Sequence, residues 1–306
     1  MDYLFVALGL AGLYFGAEWL VHGAVSVARR LGVSALIASL IIVGFGTSLP
    51  ELLVSVRAAT TGAAGIALGN VVGSNIANIL LIIGASAVIF PIAGWDKSVK
   101  RDVAAMVGSA ALLLVLVQFS VIGRAAGLLL LILLALYLFR TYRAARAGEA
   151  DLEELPTDTL ATGKATLFIL LGLVVLVAGA EFLIRGATDL ASQFGVSDAV
   201  IGLTVVALGT SLPELATAIV AASRKHSDVA VGNVTGSSIF NTLCILGLTA
   251  VIAPMPVEDS FAKLDVPVML AASLFFGGML FFAPKFHRAT GLGMLIAYGG
   301  YIAYLV

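Results

Sequence analysis

Apolar stretches of about 20 residues follow one another along the whole chain, separated by short polar breaks, and no other feature limits the fold so strongly. A helix of that length crosses the hydrocarbon core of a bilayer while pairing its own backbone polar groups, which lipid cannot pair for it. Ten spans are read, at 3–28, 34–60, 66–90, 102–119, 123–142, 164–190, 197–222, 228–253, 265–283 and 289–305. With 60% hydrophobic residues, 11% charged and a mean hydropathy of +1.10, the expected class is an all-α polytopic membrane protein with ten transmembrane helices. The net charge of −1 gives no basic surface for nucleic acid, and the lone Cys244 supports neither a disulfide nor a thiolate metal cluster. Met1, Asp2 and Tyr3 lack the positive start of a cleavable signal, so the first stretch is expected to remain as a span.

The chain also repeats itself. Gly-Thr-Ser-Leu-Pro-Glu stands at 46–51 and again at 209–214, and the same offset of 163 residues relates Glu18 to Glu181, Asn70 to Asn233 and Pro91 to Pro254. Single Gly or Ala matches between membrane helices arise from composition alone. Pro50 with Pro213 and Glu51 with Glu214 do not, because such residues are rare in spans. The expected organisation is a first five-helix repeat at 1–142, a linker at 143–163 rich in Glu149, Asp151, Glu153 and Glu154, and a second repeat at 164–306. Five spans per copy make the two copies enter the membrane from opposite sides, an inverted repeat that places a binding site near the midplane. Thirteen of the 17 Lys and Arg residues fall on one side of this topology, which sets the linker in the cytoplasm and both termini outside the cytoplasmic membrane.

Glu51 and Glu214 sit near the middle of apolar spans, where an ionised carboxylate is costly and calls for a cation. Pro50 and Pro213 lack an N–H, so each breaks its helix and frees backbone oxygens, at Gly46 and Gly209. Thr47 and Ser48 precede Glu51 by four and three residues and share its face; Thr210 and Ser211 do the same for Glu214. Two oxygen-rich clusters are expected. The next span of each repeat carries a polar stripe, Asn70, Ser74 and Asn78 in one and Asn233, Ser237 and Asn241 in the other. Beside the stripes, Gly69 with Gly73 and Gly232 with Gly236 are expected to let another backbone approach. Carboxylate, hydroxyl, amide and carbonyl oxygens without His or Cys form a hard-ligand set that favours Ca2+ among divalent ions and also suits Na+. Asn70 and Asn233 are read equally well as part of the ion site and as glue between helices. Glu18 with His22 and Glu181 with Arg185 are read as local i, i+4 pairs, and His22, His226 and His287 form no ligand cluster.

At these motifs the chain resembles the sodium/calcium exchangers of the cation/calcium antiporter superfamily, prokaryotic type. Residues 44–55 with 69–80, and 207–218 with 232–243, look like the two alpha-repeats of that family. The resemblance implies an ion core built from the second, third, seventh and eighth helices, with the first and sixth sliding across it to alternate access. It implies Glu51 and Glu214 as Ca2+ ligands, joined at Ca2+ or flanking Na+ sites by Thr47, Ser48, Thr210, Ser211 and carbonyls near Gly44 and Ala207. Ser74 and Ser237 would line Na+ sites, and Asn78 and Asn241 would stand beside the central glutamates. Some relatives carry Asp at one of those two places; Asn at both speaks against K+ coupling.

The function so implied is antiport of Ca2+ against Na+ across the lipid bilayer, with no cofactor and no enzyme chemistry. Proton/Ca2+ antiport is the alternative, since a carboxylate can trade its cation for protons, and a passive Ca2+ channel is a further one. A hydrolase using the two glutamates lacks any accompanying nucleophile, and no HExxH or GxxxxGK[ST] motif is present.

Overall fold

The computed structural model describes residues 2–31, 42–93, 97–146, 160–193, 207–282 and 285–305. Its elements are α1 (Asp2–Leu31), α2 (Gly44–Thr47), α3 (Leu49–Thr60), α4 (Ala64–Ile89), β1 (Ile92–Ala93), α5 (Lys97–Leu116), β2 (Val121–Ile122), α6 (Arg124–Arg146) and α7 (Thr162–Gln193). They continue with α8 (Ala207–Gly209), α9 (Leu212–Ser223), α10 (227–252), β3 (Met255–Pro256), α11 (Phe261–Phe282), β4 (Lys285–Phe286) and α12 (Arg288–Leu305). Six helices among the described residues are long and apolar enough to cross a membrane: α1, α4, α6, α7, α10 and α11. Parts of the expected spans 34–60 and 197–222 lie outside the described residues. So does 147–159, the middle of the expected linker, whose two ends are helical because α6 runs on to Arg146 and α7 starts at Thr162.

Burial separates a centre from a periphery. Within their apolar windows α4 and α10 are 72% and 78% buried, whereas α1 and α7 are 33% and 22% buried, so the former make the core and the latter lie across it. Leu68, Ile76, Ile79, Ile82 and Ile83 of α4 pack with Val231, Val234, Ile239 and Leu246 of α10. The α3 helix packs on α4 and on α10, and α9 on α10 and on α4. Around this group α6 lies on α10 and α12 on α4, so each half covers the other's central helix. Two short antiparallel ribbons, β1 with β4 and β2 with β3, likewise join loops of different halves.

Both central helices widen to π geometry at corresponding places, Ala77–Ile83 in α4 and Phe240–Ile245 in α10. Asn78 and Asn241 lie within these widened turns, a backbone form often found at functional sites. The proline breaks are realised as Ser48 and Ser211, whose ψ angles of 6° and 3° depart from helical values just before α3 and α9.

The longest helices, α1 and α7, run antiparallel and almost touch backbones. A Cβ added to Gly16 would stand 2.6 Å from the Leu176 nitrogen, and one added to Gly179 would stand 2.7 Å from the Leu13 nitrogen. Small residues at such a crossing let dispersion and close packing join helices that lipid would solvate equally well apart. Tyr14 and Phe15 of α1 and Leu170 and Val174 of α7 point outward, the apolar exterior of a membrane protein.

The two halves are not placed identically. The α1 helix packs along α9, while α7 makes next to no contact with α3 among the described residues. Gly44 presses on the backbone of Gly236 and Ser237, where an added Cβ would meet the Ser237 nitrogen at 2.9 Å. Gly73, the counterpart of Gly236, has open space around an added Cβ, and Gly69 meets only the Phe261 ring at 3.6 Å. Among the described residues no backbone approaches Gly69 or Gly73 closely, whereas at Gly236 the expected approach comes from α2. The Glu18–His22 reading is also corrected: Glu18 forms an ion pair with Arg224, the residue that caps the end of α9. Arg185 lies over the Phe5 ring at 5.0 Å, and among the described residues no ion pair joins it to Glu181.

Gly16→Leu is expected to separate α1 from α7 and to lower stability in detergent by about 1–3 kcal/mol, as overpacking does. Gly278→Ala, where an added Cβ meets nothing, leaves the melting temperature unchanged or slightly higher.

Candidate functional site

Glu51 and Glu214 occupy the first turns of α3 and α9 and are each only 1% exposed. A helix start suits an anion because its free N–H groups carry partial positive charge. That does not suffice here, since the two carboxylates lie close enough to repel one another. Each is tied to the neighbouring central helix through its own carbonyl. The Asn70 amide donates to the Glu51 carbonyl at 3.1 Å and to the Ser55 hydroxyl at 2.9 Å. The Asn233 amide repeats this with the Glu214 carbonyl at 3.2 Å and the Thr217 hydroxyl at 2.8 Å. These bonds make Asn70 and Asn233 glue between helices.

The hydroxyls cross between the halves. Ser48 stands 2.8 Å from the Gly44 carbonyl and 3.1 Å from Glu214 Oε1, and its single proton serves one of them at a time. Thr47, bonded to the Val43 carbonyl at 3.0 Å, and Ser237 also flank Glu214. In the mirror arrangement Thr210 flanks Glu51, and its hydroxyl lies 3.5 Å from Asn70 Oδ1. The Ser211 and Ser74 hydroxyls face each other at 3.4 Å. The expectation that Thr47 and Ser48 would share a cluster with Glu51 is thus corrected. The breaks turn these hydroxyls toward the other half's carboxylate, and the two expected clusters become one site.

Gly44 offers its carbonyl to the Ser48 nitrogen at 3.3 Å and to the Ser237 hydroxyl at 3.1 Å, so this oxygen is already in use. Ala207 opens the short α8 just before the second break. Asn78 donates to the Ser238 hydroxyl at 3.5 Å and Asn241 to Asn75 Oδ1 at 3.1 Å. Asn75, Ser238, Thr242, Ser55 and Thr217 were not singled out from the sequence. Ser55 and Thr217 follow their glutamates by four and three residues, which was a usable signal; Asn75 lies one position off the polar stripe, which was not.

After all protein donors are assigned, both oxygens of Glu51, Glu214 Oε2, Asn78 Oδ1 and Asn241 Oδ1 are buried without a hydrogen-bond partner. Buried acceptors of this kind are normally satisfied, and an unpaired buried carboxylate costs several kcal/mol. Among the described residues no group of three His, Cys, Asp or Glu side chains could hold a metal, so the site's full negative charges come from these two glutamates. All the remaining donors to a cation there are neutral oxygens, a set fitted to a hard ion.

Crossed halves, paired carboxylates in a buried polar centre and many apolar helices define a multi-pass membrane protein of the cation antiporter class, not an enzyme. The chain belongs to the sodium/calcium exchanger protein family, whose pattern matches residues 1–143 and 164–306. It is 40% identical to CaxA of Alkalimonas amylolytica over 97% of this chain and 96% of that one. Against the sodium/calcium exchanger MaX1 of Methanosarcina acetivorans the identity is 32% over 100% of this chain and 98% of that one. A solved structure of the sodium-calcium exchanger NCX_Mj, soaked with 2.5 mM Na+ and 0.1 mM Ca2+, is similar with a TM-score of 0.87 and 31% identity, covering 100% of this chain and 98% of that one.

Glu51→Gln and Glu214→Gln each keep the shape of the site and remove one charge. Each is expected to leave an inserted, folded protein and to cut 45Ca2+ uptake into vesicles by about two orders of magnitude, the cost of breaking a buried ion pair. Uptake at the wild-type rate in either variant contradicts the role given to the pair.

Proposed function

We propose that this protein exchanges Ca2+ for Na+ across the cytoplasmic membrane by alternating access, with the ions bound between α3, α4, α9 and α10. The carrying observation is the group of buried, unpartnered oxygens on Glu51, Glu214, Asn78 and Asn241. In this reading Ca2+ takes the two carboxylates, whose charge it balances, and neighbouring oxygens complete its shell. Thr47, Ser48, Thr210, Ser211, Ser74, Ser237 and carbonyls near Gly44 and Ala207 serve the Ca2+ or the flanking Na+ sites. Several Na+ ions compete for the same oxygens, and competition for one site makes the two fluxes obligatory partners.

The proposed architecture is ten spans in two inverted repeats, 1–142 and 164–306, joined by a cytoplasmic linker at 143–163, with both termini outside. The corresponding π turns of α4 and α10 and the corresponding proline breaks support the repeat. On this topology the tight Gly44 contact and the α1–α9 packing close the cytoplasmic side, and the space beside Gly73 opens toward the outside. A half-closed site favours alternating access over a passive channel. Sodium as the counter-ion is supported by relatives named sodium/calcium exchangers and by the abundance of neutral oxygens, which a proton does not need. Proton coupling is the outcome that would replace it.

Vesicles loaded with Na+ are expected to take up 45Ca2+ on dilution into Na+-free medium. With only two carboxylates at the centre, Ca2+ binding is near neutral and more than two Na+ ions leave an excess of positive charge. More positive charge then leaves than enters, so an inside-positive potential accelerates the uptake and an inside-negative one slows it. Uptake that follows an imposed pH gradient and ignores Na+ makes the coupling ion a proton; equilibration that follows neither gradient removes the antiporter.

A further inference from the structure

We propose that Asn75 is a positioning residue that fixes the Asn241 amide with its oxygen toward the ions, and that the mirror amide, Asn78, has no equivalent hold. The proposal rests on the reading of Asn241 as a neighbour of the bound cations. Thr242 donates its hydroxyl proton to the Ser238 carbonyl at 3.1 Å, which leaves that oxygen free to accept. The Asn75 amide nitrogen donates to it at 2.9 Å and meets Met269 Sδ at 3.5 Å. Asn75 must therefore turn its own oxygen the other way, where it accepts from the Asn241 amide at 3.1 Å. Asn241 Oδ1 is what remains, buried and without a donor. Donor direction thus passes from a backbone carbonyl through three side chains to one oxygen of the site. Asn75, Asn241 and Thr242 are 3%, 1% and 1% exposed, so water does not offer either amide an alternative partner.

The mirror position of Asn75 is Ser238, and the difference has a chemical consequence. The Asn78 amide reaches the Ser238 hydroxyl only at 3.5 Å, and a hydroxyl can rotate to donate or to accept. An amide so held can present either its oxygen or its NH2 to the ions. The two central amides are therefore unequal ligands.

Asn75→Leu, close in size and without polar atoms, is expected to raise the half-saturating Ca2+ concentration about tenfold with little change in maximal rate, the scale of one buried hydrogen bond. Thr242→Val moves it the same way by less and decides the matter if Asn75→Leu does not fold. In an Asn241→Ala background Asn75→Leu has no further effect on Ca2+ affinity. An unchanged affinity in folded Asn75→Leu, or an equal loss with and without Asn241, overturns the proposal. Failure here with the Glu51→Gln defect intact leaves the exchanger reading standing, whereas a wild-type flux in Glu51→Gln removes that reading first.

Separate observations carry a second inference: the Glu18–Arg224 ion pair is a one-sided latch. Arg224 caps the end of α9, and its counterpart at the end of α3 is Thr61, also the cap. Glu18 has its counterpart in Glu181. When α1 and α7 exchange roles in the opposite state, Glu181 meets a neutral threonine, so the pair favours only the state with α1 closed on α9. Both side chains are partly exposed, 26% for Glu18 and 55% for Arg224, so the bias is at most about fivefold. Gly73→Cys in a Cys244→Ser chain reports opening by its labelling from outside with an impermeant maleimide. Arg224→Gln is expected to reduce that labelling up to about fivefold, and the swapped pair Glu18→Arg with Arg224→Glu to restore it. Thr61→Arg reduces labelling as well, but only while Glu181 is present. Labelling indifferent to Arg224→Gln and to Thr61→Arg overturns the latch.

Discussion

Two carboxylates that repel one another are held out of water at the starts of two helices, and the rest of the structure answers to that constraint. Burial of one such charge costs several kcal/mol in a protein of ordinary stability. The proline breaks place Glu51 and Glu214 at helix starts, where the free N–H groups partly offset the charge. Asn70 and Asn233 bind the glutamate carbonyls rather than the carboxylates, which anchors the backbone and leaves the charged oxygens for a ligand. A fold that wanted only stability would have paired those oxygens internally. On the proposed function a cation is the missing partner, and the neutral oxygens around it set how many and which kinds of ion take that place.

Much of this was legible in the sequence because polar residues stand out in apolar spans. Glu51, Glu214 and both polar stripes could be named from position alone, as could the correspondence of the two halves. The partners of the hydroxyls could not. Spacing on one helix put Ser48 with Glu51, but the backbone at Ser48 leaves helical geometry and the hydroxyl meets Glu214 across the interface. Periodicity sees neighbours on one element and is blind to packing between elements. The same blindness assigned Glu18 to His22 when Arg224, some 200 residues away, is its partner, and it passed over Asn75, whose importance lies wholly in what α10 brings to it.

The departures from symmetry matter as much as the repeat. Gly44 packs tightly against Gly236 and Ser237, while Gly73 is open. The glycine-lined crossing of α1 and α7 has an outer face of exposed apolar side chains, which on the proposed function lets it shift across the core without uncovering polar groups to lipid. In the proposed alternating-access cycle, two related halves with one closed side give an opposite state of similar energy. Small unmatched interactions, such as one ion pair or one better-held amide, then decide which state and which ion are favoured.

The central claim is that both halves contribute their carboxylates to a single site for which Ca2+ and Na+ compete. Equilibrium binding of 45Ca2+ to the purified protein in detergent, titrated with Na+, tests it most directly. The account predicts one Ca2+ per chain, displaced steeply by Na+ because more than one Na+ is needed, with binding weakened alike in Glu51→Gln and Glu214→Gln. Two independent Ca2+ ions per chain, or Ca2+ binding that Na+ leaves untouched, would contradict it.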